Sequence, residues 1–116
     1  MPTDAERAAA DYGSPVSQAE AVRQARVALD RLLVDPVSAR VEFGEVARGY
    51  RQNGAFGDRL WCYRLPASVW ARNGFGGGVG HRAWEFVYRD GRLVEVHAER
   101  LYGRHLFMRR VWRDRG

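Results

Sequence analysis

The residues of this 116-residue chain best suited to nucleophilic or acid–base chemistry are its sole cysteine, Cys62, and its three histidines, His81, His97 and His105. A cysteine nucleophile needs a thiolate, made by a nearby cation that lowers its pKa and a base within hydrogen-bond reach. Cys62 sits between Trp61 and Tyr63 and alternates with Leu60, the setting of a buried structural thiol, so pairing it with His81 or His97 is the less favoured reading. Glu95 and His97 form the other candidate. With a two-residue turn at Asp90-Gly91 they fall on one hairpin face beside Phe86 and Trp84, where a carboxylate and an imidazole could exchange protons with a substrate. A structural contact is the favoured reading of that pair as well. The histidines share no metal-ligand spacing, and one cysteine builds neither a CxxC site nor an internal disulfide. No catalytic residue, metal or cofactor is therefore expected.

Two further features invite a ligand. Residues 73–80, Asn-Gly-Phe-Gly-Gly-Gly-Val-Gly, offer amides that could ring an anion. The dinucleotide-binding reading fails because a strand pattern follows, where that motif requires a helix, and the P-loop reading fails for want of Lys and Ser/Thr. Asn73, Phe75, Gly76, Gly77 and Gly80 are read as structural, the glycines supplying backbone freedom and Phe75 an anchor. The second feature is charge. All 19 basic residues are arginine, and residues 98–116 hold six of them against Glu99 and Asp114. Residues 1–97 carry 13 arginines and 12 acids, so the body is near neutral and the tail basic. Leu101, His105, Met108 and Trp112 recur there at helical spacing with Arg109 and Arg110 beside them, the expected binding surface of an amphipathic helix or arm. Such an arm could dock on an acidic protein surface or on anionic lipid, or hold nucleic-acid phosphates while Trp112 stacks on a base.

Elements must position these residues. Ser17 followed by Glu20 is a capping box, Val16 is placed to staple onto Ala21, and Val22, Ala25, Leu29, Leu32 and Leu33 form an apolar stripe. Asp35-Pro36 stops the run, which predicts a helix over 18–34. Val37, Ala39, Val41 and Phe43 then alternate as a half-buried strand. Residues 49–57 read as a turn-rich loop, and 60–72 as a strand that Pro66 bulges or breaks. Residues 83–88 and 93–96 flank Asp90-Gly91, a strong hairpin signal, with Tyr88 expected opposite Leu93, Phe86 opposite Glu95 and Trp84 opposite His97. The aromatic residues Trp61, Tyr63, Trp70, Trp84 and Phe86 are expected in the core. The fold class that results is α+β: one long N-terminal helix packed on an antiparallel sheet of three to four strands, plus a basic C-terminal helix or arm. Its parts are a flexible lead-in over 1–15, a single domain over 16–97 and the amphipathic arm over 98–116.

Taken together, Asp11-Tyr12-Gly13, the run Asp35-Pro36-Val37-Ser38-Ala39, the Asn53-Gly54 loop, Asn73-Gly74-Phe75-Gly76-Gly77, Gly80 and the Phe86-Val87-Tyr88 strand resemble a small uncharacterised proteobacterial domain family. In that family a DPxSA turn precedes an NxxNxFGGxxG loop. The resemblance covers residues 11–96. It implies an exported or lipid-anchored envelope protein, hence a periplasmic or envelope location, and brings no reaction with it. The sequence itself points to the cytoplasm, since residues 1–10 lack the basic start and apolar centre of a secretory signal. No transmembrane segment is expected, because the longest uncharged stretch is the glycine loop. The leading expectation is a non-enzymatic, protein-binding accessory domain. The alternatives are a cytoplasmic nucleic-acid binder or phage- or defence-associated inhibitor using the arginine tail, and, last, a small hydrolase or transferase.

Overall fold

Ser17 starts the main helix by a simple device: its hydroxyl accepts the amide of Glu20 at 3.2 Å. The helix, α2, runs Gln18–Leu32, after a short α1 at Asp4–Ala9. Only half of the expected capping box forms at Ser17, because the Glu20 carboxylate turns outward to Arg23 and Gln24. The complete box is found on α1, where Thr3 and Glu6 exchange both bonds. Among the described residues six strands follow: β1 Arg40–Phe43, β2 Ala47–Gln52, β3 Arg59–Ala71, β4 Gly80–Arg89, β5 Arg92–Tyr102 and β6 His105–Arg113. The computed structural model describes residues 2–33, 35–52, 59–71, 80–102 and 105–114.

The strands form one antiparallel sheet in the order β1-β3-β4-β5-β6, with β2 also pairing along β3. The expected fold class is thus overturned. The sheet has six strands in place of three or four, and it dominates the chain, with α2 as a 15-residue cover on one face. Three local reasons account for the difference. Residues 47–52, expected in a loop, pair with β3 although they lack apolar alternation. There Gly49 allows a close approach, since a Cβ at that position would lie 2.5 Å from Cδ of Arg64. β5 runs well past Val96, to Tyr102, and so exposes a long edge. The tail covers that edge as β6, pairing from Tyr102 opposite His105 to Glu95 opposite Arg113, where a helix or free arm was expected. Pairing the backbone groups of two long strands outweighs the marginal stability of a short isolated helix.

Two glutamines clamp the helix to the sheet beside the buried Tyr88 hydroxyl, which donates to the carbonyl of Ala21. Gln18 bonds the carbonyl of Gly44 and the amide of Val46 at 2.8 and 2.7 Å, filling the break between β1 and β2. That break lies beside Pro66, which has no amide to offer an edge strand. Gln24 bonds the carbonyl of Gly91 and the amide of Leu93, both at 2.8 Å, and so fixes the β4–β5 turn. In that turn Asp90 and Gly91 both have positive φ, 52° and 79°, as a two-residue hairpin of matching twist requires.

Tyr88 pairs with Leu93 as expected, but a bulge at Val94 then shifts the register by one. Phe86 therefore faces Val96, Glu85 faces His97, and Trp84 faces Ala98. Directly opposed residues share a face. The shift puts Leu93, Val96 and Ala98 under α2 with Trp84, Phe86 and Tyr88, where Ala21, Ala25 and Leu29 close the core. Glu95 and His97 pass to the far face, not beside Phe86 and Trp84 as the simple hairpin predicted. The strand expected from Val37 begins at Arg40, and Val37 stands in the preceding turn, 96% exposed. Among the described residues no helix is long and apolar enough to cross a membrane.

Candidate functional site

The far face gathers charged side chains from four strands: Arg51 of β2, Arg64 of β3, Glu85 of β4, and Glu95 and His97 of β5. Alternation places them there, since Arg64 is opposite Val87, and Glu85 is opposite Pro66 on one side and His97 on the other. One Nη of Arg64 contacts both oxygens of Glu85, and Arg51 approaches the same carboxylate at 3.8 Å. Arg51 also reaches Nδ1 of His97 at 3.0 Å, while Nε2 of His97 lies 2.8 Å from Glu95. Because a guanidinium can only donate, Nδ1 is the acceptor and Nε2 carries the proton toward Glu95. His97 is 3% exposed and Glu95 8%. Burial holds the imidazole below its ordinary pKa and the Arg51 charge adds to this, against the upward pull of Glu95. His97 is therefore neutral at pH 7, with both ring nitrogens occupied.

Cys62 lies on the same face, fully buried, and burial pushes its thiol up to about 11. It is protonated at neutral pH, the opposite of what a nucleophile needs. Glu85 is held by two cations and His97 by an acid and a base. These contacts tie β2, β3, β4 and β5 together, while Nε of Arg51 and Nε of Arg64 stay buried without a hydrogen-bond partner. Among the described residues no three His, Cys, Asp or Glu side chains come together as a metal site.

The pH response of this network has a definite sign. A histidine whose folded pKa is depressed contributes stability above its unfolded value, about 6.5, and loses it as the pH falls toward the folded value. The advantage in melting temperature of the parent over a His97→Gln variant should accordingly shrink between about pH 8 and about pH 5.5. An advantage that grows in acid would mean a protonated His97 paired with Glu95.

The residues singled out in the tail are now distributed by a strand. Leu101 lies in β5 opposite Leu106, and His105 opens β6 opposite Tyr102. A second bulge, at Val111, sets Trp112 opposite Val96 on the α2 side and Arg110 opposite His97 on the far side. Met108 also lies on the far side, opposite Glu99, and Arg109 on the α2 side, opposite Ala98. β6 is an edge strand, and it exposes Phe107 at 44%, Met108 at 42% and Trp112 at 37%. Asn73, Phe75, Gly76 and Gly77 lie outside the described residues, while Gly80 begins β4 opposite Ala71. Trp70 departs from its expected core position. It is 36% exposed on the far face, its ring tilted 47° against that of His81 with centroids 4.9 Å apart and Arg40 over it.

Sequence reasoning missed Arg51, Arg64 and Glu85 as parts of one network. The signal available was a lone charge within each of two apolar strand patterns, Arg64 in residues 60–71 and Glu85 in residues 83–88, with Gly49 making room for Arg64. Comparison with protein-family models, with curated proteins and with solved structures gives no match to this chain.

Proposed function

We propose that this chain is a non-catalytic, protein-binding domain of the accessory kind, and that it engages its partner along β6. The observation that carries the reading is the concentration of exposed large apolar side chains, Phe107, Met108 and Trp112, on one edge strand. Large apolar groups are costly to leave in water and commonly anchor protein contacts. An edge strand adds unpaired backbone groups that a second chain can complete. The pairing of His97 with Glu95 and Arg51, the pairing of Glu85 with Arg64 and the protonated, buried thiol of Cys62 support the non-catalytic reading.

The nucleic-acid alternative has less support. Arg109 and Arg110 are adjacent in a strand and point to opposite faces, so they do not form one basic groove. The discriminating experiment captures partners from native lysate, with and without nuclease, on the parent and on a Phe107→Ser/Met108→Ser variant. A partner retained after nuclease and lost on the variant is the expected result. A bound fraction that nuclease removes, joined by a gel shift surviving about 200 mM salt, would favour nucleic acid instead.

A further inference from the structure

β6 borders a groove of about 530 Å³ between the strand and α2, lined by Val27, Ala28, Leu32, Leu93 and Trp112 together with Arg31. Grooves of this size, apolar with a few polar groups, are the usual form of a binding site. Two other arginines on the groove are already paired, Arg23 with Glu20 and Arg92 with Asp114. Arg31 makes no side-chain ion pair or hydrogen bond among the described residues, and the same holds for Arg109, Arg110 and Arg113 of β6. An open strand edge and an apolar groove therefore lie side by side, with Arg31 and Arg109 on the α2 side of that edge and Arg110 and Arg113 on the far side, none of the four in an ion pair among the described residues.

Resting on the reading of β6 as the docking edge, we infer that the partner presents an extended acidic segment. The segment adds as a strand to the outer edge of β6 and lodges an apolar side chain in the groove against Trp112. Strand addition supplies main-chain hydrogen bonds, and alternate side chains supply specificity. One set of the segment's side chains faces α2, toward Trp112, Arg109 and Arg31. The other set faces Met108, Arg110 and Arg113. Acidic residues on both sides match charges that the fold leaves unanswered.

The other edge of the sheet is less suited. It is split into strands of four and six residues around the break that Gln18 fills, whereas β6 runs for nine. A second copy of this chain is also a poor occupant. An antiparallel pairing of two β6 strands about their centre sets arginine directly against arginine, and like charges so placed are destabilising.

The test uses fluorescent nine-residue peptides of the sequence Thr-Glu-Glu-Thr-Leu-Thr-Glu-Glu-Thr, which set Glu on both faces of a strand around a central Leu, titrated into the full chain. Three forms are compared: the acidic peptide, its Glu→Gln counterpart, and the acidic peptide N-methylated at alternate amides. The acidic peptide should bind about tenfold or more tighter than the Gln form, and N-methylation should abolish binding. Arg31→Gln and Val27→Asp, both at exposed positions of α2, should weaken binding without changing the melting temperature. Equal binding of the Gln form would overturn the acidic partner and leave strand capture standing. Equal binding of the N-methylated form would overturn strand addition. Binding by none of the peptides, or self-association of the chain through β6 that excludes them, would overturn both the inference and the docking edge beneath it.

Discussion

Phe86→Ala should cost about 3–5 kcal/mol, the range for removing a fully buried aromatic side chain and leaving a cavity. Phe86 is 0% exposed, and its ring lies 6.2 Å from Trp84 and 6.3 Å from Phe43. It is opposed by Leu65 on β3 and by Val96 on β5, so it joins the two central pairings of the sheet to the layer beneath α2. Small domains carry only about 5–15 kcal/mol in total, so the variant should sit close to its unfolding threshold at room temperature. Urea melts measure the effect as a lowered midpoint. A loss of under about 1 kcal/mol would mean that Phe86 is not at the centre of the core.

Glu85→Ala is the second large effect. One carboxylate here serves both Arg64 and Arg51, with side-chain exposures of 18% for the glutamate, 33% for Arg64 and 26% for Arg51. Removing one partner of a buried pair costs about 3–5 kcal/mol because the remaining charge is left without compensation. Partial exposure of all three groups reduces this to about 2–3 kcal/mol. The Nε atoms of both arginines are already buried without a partner, so neither guanidinium has a spare acceptor to turn to. Replacing Arg64 and Glu85 together, by Met and Leu, should recover part of the loss, since Arg51 alone then lacks the carboxylate, whereas Glu85→Ala takes it from both arginines. Chemical denaturation of the single and double variants checks this. A double variant no better than Glu85→Ala would show that Arg51 alone sets the cost.

What could be read from the sequence follows the range of the interactions involved. The start of α2 was legible because Ser17 acts on an amide three residues away, and the β4–β5 turn because Asp90 and Gly91 are its own chemistry. The partner of Glu20 was less so. Its carboxylate had Arg23 and Gln24 within one turn, and they outcompete the backbone of the cap. Each bulge displaces one residue and leaves no mark on composition, yet the one at Val94 moved Glu95 and His97 to the other face of the sheet. That displacement took the Glu95–His97 pair away from Phe86 and Trp84 and into the network with Arg51.

The tail shows the same limit in another form. Leu101, His105, Met108 and Trp112 repeat at helical intervals, but Phe107, Val111 and Trp112 are side chains that strands favour. The length of β5 decided between the two patterns, and that length depends on β4 and β3. The network of Arg51, Arg64 and Glu85 was hidden for the same reason, since its members come from three strands. Of the tail residues first assigned to one binding face, Trp112 and Arg109 lie on the α2 side of β6, and Met108 and Arg110 on the other. An edge strand that grips a partner from both sides uses all four.

Amide hydrogen exchange along β6, with and without the acidic peptide, tests this most directly. In the free chain the amides of β6 that point away from β5 should exchange fast, and those bonded to β5 slowly. Bound peptide should slow exchange at alternate residues of β6 and leave the β1–β2 edge unchanged. Binding that protects the β1–β2 edge or the far face, with β6 exchanging as before, would contradict the assignment of β6 as the docking edge.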